Sequence, residues 1–70
     1  MMLRTVWPES FPDVVANANR YYAAGQYLDA GVTYLKAAAV APTAAAEQFM
    51  LEQAWVTTER ARGVRSELDA

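Results

Sequence analysis

Residues Asn17 to Pro42 read NANRYYAAGQYLDAGVTYLKAAAVAP, and this stretch decides the fold. It is a helix, a glycine turn and a second helix closed by proline. Gly25 can adopt the left-handed backbone conformation that ends a helix, so the chain can reverse within a few residues. Tyr27, Ala30, Tyr34, Ala37 and Ala41 then recur at three- and four-residue steps, which defines one face of a helix. Val14, Ala18 and Tyr21 do the same before the turn. Large tyrosines set against small alanines let two helices approach closely, with the phenol oxygens reaching the rim. Pro42 cannot continue a helix interior and disfavours helical geometry at Ala41. The second helix therefore ends there, and Thr43 is placed to cap a third.

Tyr21, Gly25, Tyr27, Ala30, Tyr34, Ala37 and Pro42 fall at spacings that resemble a single tetratricopeptide (TPR) repeat. The resemblance covers about a third of the chain. It implies a helical hairpin that binds another protein, with no catalysis. The same resemblance would put Pro12, Val15, Asn19 and Tyr22 on a ligand-facing surface of the first helix. Asn19 matches the asparagine that many such repeats turn toward a peptide backbone or carboxylate. Val15 stands where a carboxylate clamp would carry lysine, so an acidic C-terminal tail is not the expected ligand. Two further departures are Asn17, in a place usually held by leucine, and Ala18, in one usually held by glycine.

Composition sets the bounds. Seventy residues make one domain at most, near the lower limit for an unassisted core. Apolar residues form 54% of the chain, too many for a disordered tail. Roughly a fifth of the residues are alanine, which favours helix but buries little area. The monomer should accordingly be marginally stable, and oligomerisation or partner docking would complete it. A net charge of −2 argues against a phosphate-backbone binder. The sequence has neither cysteine nor histidine. It thus has no thiol nucleophile, no thiolate or imidazole metal ligand, and not the commonest general base. No apolar run approaches the ~18 residues of a membrane span, and the first residues lack the apolar core of a signal peptide. A cytoplasmic protein without cofactor, metal, nucleic-acid partner or membrane insertion is expected.

Residues 1–10 read as an N-terminal arm carrying Leu3, Val6 and Trp7, and residues 11–70 as the helical domain. Helix 1 is expected from Phe11 to Ala24, with Ser10 or Asp13 capping and Pro12 in the first turn, where its missing N–H is harmless. Helix 2 is expected from Gln26 or Tyr27 to Ala41, and it carries two apolar stripes. Tyr27, Ala30, Tyr34 and Ala37 would face helix 1; Leu28, Gly31, Val32, Leu35 and Ala39 would face helix 3; Asp29, Thr33 and Lys36 would form the solvent edge. Gly31 costs about 1 kcal/mol relative to alanine in a helix interior, and close helix approach is the expected reason.

Helix 3, from Thr43 to Leu68, is the longest. Met50, Ala54, Thr57, Ala61, Val64 and Leu68 share a broad face, widened by Leu51 and Trp55. Phe49 and Val56 lie well around the cylinder from it and are surplus to a helix wet on one side. They would either meet helix 1 or form an interface. The end of this helix, Glu59-Arg60-Ala61-Arg62-Gly63-Val64-Arg65-Ser66-Glu67-Leu68, resembles the last helix of microtubule-interacting-and-transport (MIT) domains, three-helix bundles of about this size. Tyr22 departs from the aspartate often found in such domains. Glu52 and Glu59 share a face without a basic or metal-binding companion, and the arginines pair along the helix, as Glu59 with Arg62.

The sequence therefore predicts an all-α, three-helix antiparallel bundle: a TPR-like helical hairpin plus a long third helix. Its function is read as a non-catalytic protein–protein interaction module, an adaptor for a peptide or helix of a partner protein. The expected partner-binding residues are Val15, Asn19, Tyr22, Leu51 and Trp55. The alternatives are a self-assembling homodimer that buries Trp7, Phe49, Trp55 and Val56, or an MIT-like domain recruiting helical motifs to a membrane-remodelling ATPase system.

Overall fold

The first turn of the chain is closed by backbone alone. Gly25 has φ +81°. The N–H of Gly25 donates to the Tyr22 carbonyl at 3.0 Å, and that of Gln26 to the Tyr21 carbonyl at 2.9 Å. This pair of bonds is a Schellman motif, which uses up carbonyls that a helix end leaves without partners. The computed structural model describes residues 10–69, with side-chain surroundings for residues 10–63. Over that range the chain is all-α, without a strand. Helix α1 spans Phe11–Ala23, α2 Tyr27–Ala39 and α3 Ala44–Asp69. The expected roles of Trp7 and the rest of the arm lie outside the described residues.

The ends follow local chemistry. Ser10 is the N-cap of α1 in extended geometry, and Pro12 sits in the first turn. The Ser10 hydroxyl donates to the Asp13 carboxylate at 2.9 Å and accepts no backbone N–H. Thr43 caps α3: its Oγ1 accepts the Ala46 N–H at 3.1 Å. Helix α2 stops two residues short of the expected Ala41. Val40 has already left helical geometry at φ −110°, ψ 13°, one residue before Ala41, the position that Pro42 itself disfavours for helix.

Helix α2 is the middle of the three. It packs against α1 on one side and α3 on the other, and α1 and α3 hardly approach each other. Its buried residues, Ala30, Gly31, Thr33, Tyr34, Ala37 and Ala38, cover both contacts. They meet Val14 and Ala18 of α1 and Met50, Ala54 and Thr57 of α3. Five of the eight buried apolar residues are alanine, so the helices come close while burying little area per side chain.

Several positions differ from the sequence reading. Tyr21 is 40% exposed and stands outside the core, since Val14 and Ala18 already fill the line of contact. Thr33 is buried, not on the solvent edge, because its hydroxyl donates to the Asp29 carbonyl at 2.8 Å and needs no water. Of the stripe expected to face α3, only Gly31 is buried against it, while Leu28 and Leu35 border hollows shared with α3 and stay exposed. A Cβ at Gly31 would lie 2.8 Å from the Thr58 Oγ1, so α3 approaches α2 at its smallest residue. Leu28, Val32 and Leu35 remain exposed beside it.

Candidate interaction site

Helix α2 turns its large apolar residues outward. Leu28, Val32, Leu35 and Ala39 recur at steps of four, three and four residues and so form one line along the helix. On α3, Leu51 and Trp55 are one turn apart and border the same valley. Leu35, Leu51, Ala54, Trp55 and Thr58 line a groove of about 230 Å³. Trp55 is 66% exposed and Leu28 63%, the two most exposed large apolar residues described. The five residues that line the groove are uncharged, and by helix spacing Glu47 and Arg62 continue the α3 wall toward its two ends. The Glu59–Arg62 pair forms as expected at 3.0 Å, with Arg62 well exposed, and an ion pair of that kind is worth little.

The α1 residues expected at the site are engaged elsewhere. Val15 is half-buried against the core. The Asn19 carboxamide oxygen accepts the Tyr34 hydroxyl at 2.5 Å, which ties α1 to α2 across fifteen residues of sequence. Tyr34 is buried, and that burial, with the neighbouring Tyr22 phenol adding a smaller effect, pushes its hydroxyl above the usual tyrosine range. The Tyr22 ring meets that of Tyr27 edge-on at 5.1 Å. The Arg60 guanidinium lies over both rings, 5.9 Å from Tyr22 and 5.7 Å from Tyr27. This cation–π cluster joins the end of α1, the start of α2 and the second half of α3.

The five expected partner-binding residues thus divide into two groups. Leu51 and Trp55 border the α2–α3 groove, while Val15 and Tyr22 are half-buried against the core and Asn19, exposed on α1, accepts the Tyr34 hydroxyl. Phe49 and Val56 are both exposed, at 55% and 52%, and do not fold back onto α1. They lie on the other side of the buried Met50–Ala54–Thr57 line from Leu51 and Trp55. The sequence reading missed Leu28, Val32 and Leu35 as surface residues. Their signal was the double apolar stripe on α2, which exceeds what two neighbouring helices can cover.

Among the described residues there is no cluster of His, Cys, Asp or Glu fit to hold a metal ion, and no helix long and apolar enough to cross a membrane. No protein-family model, curated protein or solved structure matches this chain.

Proposed function

We propose that this chain is a non-catalytic protein–protein interaction module whose docking face is the α2–α3 surface, and that it takes a helical element of another chain. One observation carries the reading: apart from Val14, Tyr34 and Met50 the buried apolar residues are all alanine, while large apolar residues of α2 and α3 are exposed. Alanines and Gly31 fill the contacts between helices, while Leu28, Val32, Leu35, Leu51 and Trp55 face outward together. An uncharged apolar groove between two helices is suited to the apolar face of an amphipathic helix, with one or two side chains as anchors. The TPR-like spacing from Tyr21 to Pro42 supports the same role.

The face can be tested with a photo-crosslinking residue. Trp55→p-benzoylphenylalanine should crosslink to an apolar helical segment of a protein chain, and Leu35→Glu in the same chain should abolish it. Arg20→p-benzoylphenylalanine, on the exposed side of α1, should not give that product. Equal labelling from both positions, or labelling at position 55 that persists with Leu35→Glu, would count against the α2–α3 face.

A further inference from the structure

Resting on that docking face, we infer that its occupant is a second copy of this chain, with two α2–α3 hairpins face to face in a four-helix bundle.

The shape of the exposed surface argues for a hairpin over a single helix. A lone helix laid in the groove would cover Leu35, Leu51 and Trp55, which line it. It would leave uncovered the outer side of that α2 line, where Val32 is 53% exposed and stands farther round the helix from α3 than Leu28 and Leu35. A pair of helices covers the groove and that outer side at once. The face of a hairpin is itself such a pair, so the surface is complementary to its own copy. A two-fold axis in the plane of the interface then completes a bundle with an enclosed apolar core.

The area agrees. Leu28, Val32, Leu35, Leu51 and Trp55 are between 45% and 66% exposed. Together they present on the order of 500 Å² of apolar surface, in the upper half of the range for the largest patch on a monomer and of the size that is often functional. Two facing copies that covered these residues fully would bury about 1,000 Å², and a surrounding rim would bring the total into the range of a specific interface. A core in which five of eight apolar members are alanine gives each protomer a reason to need that cover. The interface leaves out Phe49 and Val56, which lie on the opposite flank of α3. This separates it from a dimer built on those residues.

Sedimentation equilibrium over a wide concentration range, on the full chain, tests the inference. Wild type should reach twice the 7.7 kDa chain mass. Leu35→Glu should stay at the monomer mass with its helical circular dichroism retained, because Leu35 is half exposed in the protomer. Phe49→Glu should remain a dimer. A wild-type monomer throughout the range overturns the second copy, as does dissociation by Phe49→Glu with Leu35→Glu still dimeric. The crosslinking arm separates this from the docking face itself. Products from position 55 that join two copies support the inference. Products joining only a helix of a different protein overturn it and leave the face standing. A monomer whose position 55 gives no product loses both.

Discussion

Gly31→Ala sets two opposing effects against each other at one atom. Glycine in a helix interior is less favourable than alanine by about 1 kcal/mol, so the substitution should stabilise α2 if space allows. Space does not allow it: the added Cβ would stand 2.8 Å from the Thr58 Oγ1. Overpacking of a helix contact costs about 1–3 kcal/mol when neighbours must shift. The single variant should therefore come out between neutral and about 2 kcal/mol less stable, despite its better helix propensity. Thr58→Ala removes the obstructing oxygen. The next neighbours of the new methyl, the Ala54 carbonyl oxygen at 3.6 Å and the Thr58 nitrogen at 3.7 Å, are ordinary contacts. In that background Gly31→Ala should stabilise by about 1 kcal/mol, which gives a coupling energy of about 1–3 kcal/mol for the pair. Thermal unfolding followed by circular dichroism resolves this, since each kcal/mol moves the midpoint of a domain this small by about 4–8 °C. All four proteins must be compared at one concentration, because association would shift the midpoint. If Gly31→Ala stabilises by the same amount with and without Thr58, then α2 and α3 do not meet closely at Gly31 and the reasoning fails.

The Tyr34 hydroxyl provides a test in pH. Its pKa is raised on folding above the usual value of 10.0, so the folded state holds the proton more tightly than the unfolded one. That contribution to stability is fully present below pH 10 and is lost as pH rises beyond it. Tyr34→Phe should cost about 0.5–1.5 kcal/mol near neutrality through the lost bond to Asn19, and the gap to wild type should narrow in strongly alkaline buffer. A gap that stays constant up to alkaline unfolding would contradict the placement of Tyr34. Gly25→Ala should destabilise by about 1–2 kcal/mol, since a Cβ is strained in the left-handed region whatever the space around it. Urea unfolding at wild-type stability would mean that Gly25 does not hold that conformation.

Much of the fold was legible in local sequence. Gly25 marks the turn, Thr43 and Pro42 mark the junction of α2 and α3, and the spacing of apolar residues marks three helices. Each of these signals acts within a few residues, through backbone sterics and hydrogen bonds. Even the reason for Gly31 could be read ahead, because an unfavourable residue in a helix interior needs a compensating contact. Periodicity states which residues share a face, but not which face another helix will cover. That choice came from packing. Helix α3 meets α2 along Gly31, Ala38 and Ala54, where the backbones can come close, and so Leu28, Val32, Leu35, Leu51 and Trp55 were left outside. Asn19, still exposed, became the acceptor for the Tyr34 hydroxyl, and Tyr22 became a shelf for Arg60. Those partners are far apart in sequence, and only the relative placement of three helices brings them together.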